Sequence, residues 1–148
     1  MEAVGKITPE NGYVVTVDQA IRLDKLGCDC NCNQGYYKMP HGTWQQANWD
    51  TCLESTRYYD SIETHHAPTI WQVIDWFETQ GIWCWVECEF NRGHIKPEYV
   101  AHIAHYRDGK FEIYSDLEGL DETKYQIYEA MIDCALTLLE NKREREGK

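Results

Sequence analysis

Basic side chains are scarce in this sequence. Fourteen Lys and Arg stand against 25 Asp and Glu, a formal net charge of −11 over 148 residues. A protein that grips nucleic acid directly needs a basic footprint to displace counterions from phosphates, and none is visible. The one basic cluster, Lys142, Arg143, Arg145 and Lys148, is interleaved with Glu144 and Glu146 and reads as a solvated helix end. The same acidity argues against anionic membrane surfaces and leaves room for a basic protein partner. Long apolar runs are missing too: none approaches the ~20 residues that span a bilayer. Met1 to Lys6 has no apolar leader core, so the cytoplasm is the expected compartment. Glycine-rich phosphate loops, dinucleotide fingerprints, nucleophile elbows and a helical H-E-x-x-H are all absent, so no motif fixes a chemistry.

Phe is rare, at three residues, but there are six Trp and ten Tyr. Trp and Tyr carry a polar handle and suit half-buried sites and contact surfaces better than Phe. The seven Cys are an odd number, which does not complete a disulfide framework. In a reducing compartment they are expected as thiols. A chain of this length can bury roughly 70 % of its unfolded surface around one core, so a single domain is expected.

Three segments open on the same phrase. Thr16-Val17-Asp18-Gln19, Thr69-Ile70-Trp71-Gln72 and Thr123-Lys124-Tyr125-Gln126 each read as a Thr-x-x-Gln capping box. Helices are expected at about 17–26, 70–80 and 122–142, the first two ended by Gly27 and Gly81. In the third, Tyr128, Met131, Ile132, Ala135, Leu138 and Leu139 form an apolar stripe, read as a lid over a sheet. Between the second and third helices, Ile82, Cys84, Val86, Cys88 and Phe90 alternate with Trp83, Trp85, Glu87 and Glu89, which predicts a strand with one apolar face. Asn91-Arg92-Gly93 reads as a turn, followed by strands over Tyr99–Arg107 and Lys110–Ser115 joined at Asp108-Gly109. That register pairs Tyr106 with Phe111 and Ala104 with Ile113 on one face, and His105 with Glu112 on the other. The second half, 68–142, is thus helix, three antiparallel strands, helix. Residues 28–66 read as irregular or short strands, with Tyr36-Tyr37-Lys38 and Arg57-Tyr58-Tyr59 as strand candidates. The fold class is α+β, with helices packed on an antiparallel sheet of at least three strands.

Cys28-Asp29-Cys30-Asn31-Cys32 is the first place to look for chemistry. In a turn, these thiolates could converge on a soft metal, with Cys52, His41, His65 and His66 as further ligands for zinc. The spacing is not that of paired C-x(2–4)-C zinc motifs, and thiols acting as small hydrophobes are the simpler reading of the run. Cys52 with His65 or His66, oriented by Asp60 or Glu63, would make a nucleophile and its base. No motif lowers the Cys52 pKa, so an enzyme is the less favoured reading. Trp83, Trp85, Glu87 and Glu89 share one strand face. Rings and carboxylates there would suit a basic or cationic partner, unless other elements cover them.

Val15-Thr16-Val17-Asp18-Gln19-Ala20-Ile21-Arg22-Leu23 followed by Gly27, and Ala67-Pro68-Thr69-Ile70-Trp71-Gln72-Val73-Ile74-Asp75-Trp76-Phe77, resemble phrases in a group of small proteins. These uncharacterised proteins are encoded by gut-bacterial phages, prophages and integrated elements. The resemblance spans most of the chain, but Cys28, Cys30 and Cys32 depart from it. It implies no activity and no catalytic residues, only an accessory role on a mobile element. The expectation is a non-enzymatic binding or accessory protein acting through protein contacts, with a homodimer possible through the Trp-bearing strand. The alternative is a zinc-binding domain built on Cys28–Cys32, and after it a Cys/His enzyme. Otherwise no cofactor is expected.

Overall fold

The computed structural model describes residues 6–59, 62–90, 97–107, 109–119 and 123–147. Two compact units emerge, Met1–Val73 and Ile74–Lys148. Among the described residues they hold four helices and two three-stranded antiparallel sheets, an α+β fold. The strands fall into two sheets of three, where the sequence suggested one.

In the first unit, helix α1 (Val17–Lys25) starts on the expected box. The Gln19 amide donates to Thr16 Oγ1 at 3.2 Å, and Gln19 Oε1 accepts from the Thr16 amide at 3.1 Å. Gly27 follows the helix with φ of 79°, a left-handed conformation that glycine takes without steric cost. Strands β1 (Gln34–Lys38), β2 (Trp44–Asn48) and β3 (Thr64–His66) then form a sheet in the order β2-β1-β3. Tyr36 lies at its centre, fully buried, and its hydroxyl donates to the Val15 carbonyl at 2.6 Å.

Helix α2 (Trp49–Tyr58) corrects the sequence reading, which made Arg57-Tyr58-Tyr59 a strand. Its N-cap is Asn48, whose Oδ1 accepts from the Thr51 amide at 2.9 Å. Only Cys52 is buried among its side chains, so it presents no apolar stripe for a periodicity argument to detect.

Helix α3 (Ile70–Thr79) carries the second box, with the Gln72 amide 3.2 Å from Thr69 Oγ1 and the Thr69 amide 2.9 Å from Gln72 Oε1. In the second unit β4 (Ile82–Glu89), β5 (Glu98–Arg107) and β6 (Lys110–Gly119) form a meander in the order β4-β5-β6. Tyr106 pairs with Phe111, His105 with Glu112 and Ala104 with Ile113, as the sequence predicts. The register shifts at Ile103/Ala104. Gly109 has φ of 79°, while Asp108 and the Asn91-Arg92-Gly93 turn lie outside the described residues. Helix α4 (Lys124–Glu146) begins on the third box and runs four residues beyond the expected 142.

Helix α4 covers one face of this sheet. Ile127, Met131, Ile132, Ala135, Leu136, Leu138 and Leu139 are buried, as are Ile82, Cys84, Ala101 and Ile103. Burying an Ile, Leu or Met side chain contributes about 1.5–3 kcal/mol, so the helix and sheet face stabilise each other. Among the described residues, no helix is long and apolar enough to cross a membrane.

Candidate functional site

Among the described residues, two places gather chemistry-bearing side chains: the face of the second sheet opposite α4, and the loop between α1 and β1.

Strand alternation sends Trp83, Trp85, Glu87 and Glu89 to the side opposite Ile82 and Cys84. Cross-strand pairing sets Trp83 beside Ala104 and Trp85 beside His102. Trp83 meets Phe111 edge-on, with centroids 5.0 Å apart, and Phe111 meets Tyr106 the same way at 5.2 Å. The Trp85 indole stacks on His102 at 5.1 Å and donates through Nε1 to Glu87 at 3.2 Å. The other Glu87 oxygen lies 3.4 Å from His102 Nε2. Large parts of this cluster face solvent: Trp85 is 39 % exposed, Tyr106 50 %, Phe111 65 % and Ile113 67 %. Trp83 is half-buried, and Glu87 and Glu89 are exposed.

Sequence reasoning located the β4 part of this surface and missed its β5 and β6 part. The signal lay in the hairpin register. Once Tyr106 is paired with Phe111 and Ala104 with Ile113, one further strand pairing carries the aromatic patch from β4 across to β6.

The second place holds the Cys run. Cys28 and Cys30 are half-buried, with sulfurs 3.1 Å apart. The Cys30 thiol also reaches the Gln72 carbonyl at 3.6 Å. Their contact holds the Cys28 pKa below the ordinary thiol range, because a Cys30 S–H stabilises a Cys28 thiolate. The same contact drives the Cys30 pKa strongly upward, with burial adding to it. Cys32 is buried and points elsewhere: its sulfur lies 3.6 Å from the Gln34 carbonyl and 3.5 Å from His66 Nδ1. Burial raises its pKa.

The remaining candidates divide between separate surroundings. His66 stacks on Trp49 with centroids 3.6 Å apart. His65 Nδ1 lies 2.7 Å from Asp24 Oδ2, and its Nε2 lies 2.5 Å from Glu63 Oε2. Cys52 is fully buried on α2, its thiol reaching the Ala47 carbonyl at 3.8 Å, and burial pushes its pKa up to about 11. A thiol so protonated is a poor nucleophile. His41 sits in the exposed turn between β1 and β2, and Asp60 lies outside the described residues. Of the proposed zinc ligands, the structure thus brings Cys28 to Cys30 and Cys32 to His66. Among the described residues, no three His, Cys, Asp or Glu side chains gather closely enough to hold a metal ion.

A cleft of about 440 Å³ also opens in the second unit, between Gly81, Ile82, His105 and Tyr106 on one side and Leu138, Lys142 and Arg145 on the other. Comparison with protein-family models, with curated proteins and with solved structures yields no match.

Proposed function

We propose that the chain is a non-enzymatic binding protein whose working surface is the aromatic face of the second sheet, and that its partner is a basic protein. The observation that carries this reading is the set of solvent-facing Trp85, Tyr106, Phe111 and Ile113 on one sheet face, with Trp83, Phe111 and Tyr106 in ring contact. Scattered apolar residues on a surface need no explanation, but several large ones gathered on one sheet face do. Trp and Tyr are enriched among the residues that dominate binding energy.

Charge selects the class of partner. The exposed Glu87 and Glu89 flank the rings, and the chain carries a net −11. Ring faces and carboxylates both attract Lys and Arg. The same charge disfavours a second copy of this acidic chain, because like charges repel across an interface. The accessory role on a mobile element implied by the resemblance is compatible with a binding protein of this kind.

Affinity capture with the wild-type chain and with a Trp85→Ala/Phe111→Ser chain, at low and high salt, tests the reading. A captured protein that is basic, is lost in the variant and elutes as salt rises supports it. Identical captured sets from both chains, or no stable capture, would overturn it. Sedimentation showing a dimer that the variant dissociates would assign the face to a second copy instead.

A further inference from the structure

The Cys28/Cys30 pair lies in the first unit and plays no part in the binding surface proposed above. Three observations set it apart from the other thiols. The two sulfurs are in contact at 3.1 Å, about 1 Å beyond a disulfide bond, whereas unbonded thiols placed only for packing have no reason to meet. Both are half-buried, as Cys134 is, so a small reagent can reach them, while Cys32, Cys52 and Cys84 are buried and Cys88 is exposed. They also line a small pocket with Leu23, Asp24, His66 and Pro68, in the segment between α1 and β1 that belongs to no helix or strand. A loop of this kind can close the last ångström without breaking a ladder of backbone hydrogen bonds.

We propose that Cys28 and Cys30 form a two-electron dithiol/disulfide couple that exchanges with small disulfides, Cys28 attacking and Cys30 resolving. The Cys28 thiolate attacks one sulfur of a disulfide R–S–S–R, forming a Cys28–S–S–R bond and releasing R–S⁻. The Cys30 thiol then gives up its proton, and its sulfur attacks Cys28 Sγ. A Cys28–Cys30 bond forms as the second R–S⁻ leaves. The dithiol has lost two electrons and the small disulfide has gained them. The Cys30 proton goes to one leaving thiolate, and the other takes one from water according to its own pKa. The division of labour follows from the contact, which lowers the Cys28 pKa and raises that of Cys30, so that the thiolate forms on Cys28 first.

The surroundings set the substrate class. Asp24 and Asp29 both act on the Cys28 sulfur with negative charge, and the chain as a whole is acidic. An anionic disulfide is repelled on approach and a cationic one is drawn in. Cystamine should therefore react faster than the uncharged 2-hydroxyethyl disulfide, and that faster than oxidised glutathione.

The experiment uses the full, reduced chain. Each of the three disulfides is added at neutral pH, and intact mass and peptide maps are followed with time. The expected product has lost two hydrogens and carries a Cys28–Cys30 link, with cystamine about tenfold faster than oxidised glutathione at low salt and the gap narrowing as salt rises. Cys30→Ser should stop at a mixed disulfide on Cys28. Cys28→Ser should form neither product at residue 30 at a comparable rate. The proposal falls if the first mixed disulfides appear on the exposed Cys88 and no Cys28–Cys30 link follows. It falls equally if the reduced chain binds one equivalent of zinc that blocks both thiols, since the pair is then a metal-ligand set. Because the readout is a mass, it stands apart from the outcome of the capture experiment.

Discussion

Gly35 sits on β1 where a methyl group has no room. A Cβ there would lie 2.5 and 2.8 Å from the Trp49 ring and 3.0 Å from the His65 carbonyl. The Trp49 ring is held in place by its stack on His66, whose backbone pairs with Gly35 across the sheet. Gly35→Ala must therefore either push the indole away or move the strand. Overpacking of this kind costs about 1–3 kcal/mol, and displacing the stack forfeits a further ~0.5–1.5 kcal/mol. Against this, replacing Gly by Ala in an ordinary strand conformation gains ~0.4–1 kcal/mol from the unfolded chain. The net expectation is a loss of about 1–3 kcal/mol, read as a lower urea midpoint at unchanged slope. In a Trp49→Ala background the ring contacts vanish and only the His65 carbonyl remains to give by a few tenths of an ångström. There the cost of Gly35→Ala should fall close to zero, a coupling of about 1–3 kcal/mol between the two sites. Equal costs in both backgrounds would refute the account, because they would show that the indole is not what excludes the methyl group.

Gln19 is fully buried and its side chain accepts from the Thr16 amide, whereas Gln126 does the same work in solvent. Gln19→Ala is expected to cost about 1–3 kcal/mol, as an amide loses its buried partner, and Gln126→Ala under ~1 kcal/mol; chemical denaturation of both variants compares them directly. Asn48→Ala should lower stability by about 1 kcal/mol and reduce the helical circular dichroism signal of α2. Burial pushes the Cys84 pKa up to about 12. Unfolding returns that thiol to the ordinary range near ~8.5, so above it the unfolded chain has lost a proton the native chain keeps. Stability should fall as pH rises from about 8.5 toward 12, and Cys84→Ala should flatten that fall in denaturation series taken across the alkaline range.

The sequence made the fold legible wherever local chemistry and periodicity agreed. All three Thr-x-x-Gln boxes form with both hydrogen bonds, because the signal is contained in four adjacent residues. The β5–β6 register near its turn could be read because side-chain alternation admits only one in-phase pairing there. Helix α2 was illegible for a matching reason. Its cap is an Asn with Thr at the third position, so the reciprocal box is missing. Its one buried residue leaves no stripe, and Tyr58-Tyr59 invites a strand reading. The division into two sheets depends on contacts between residues far apart in sequence, which no window of local pattern contains. At the candidate sites, residue types were legible and distances were not. The Cys28–Cys32 spacing allowed three thiols to converge, and the loop instead turned the first two together and sent the third to His66.

Strand β3 is only three residues long, yet it carries His65 and His66 side by side. Alternation gives each ring its own side of the ribbon: His65 meets two carboxylates, and His66 meets an indole and a thiol. Adjacent copies of one letter thus have unrelated meanings, set by parity alone. A one-residue slip of β3 against β1 would put Thr64 where His65 stands and His65 where His66 stands. The segment is therefore written in a two-residue reading frame, and an insertion within the strand should be far less tolerated than a substitution.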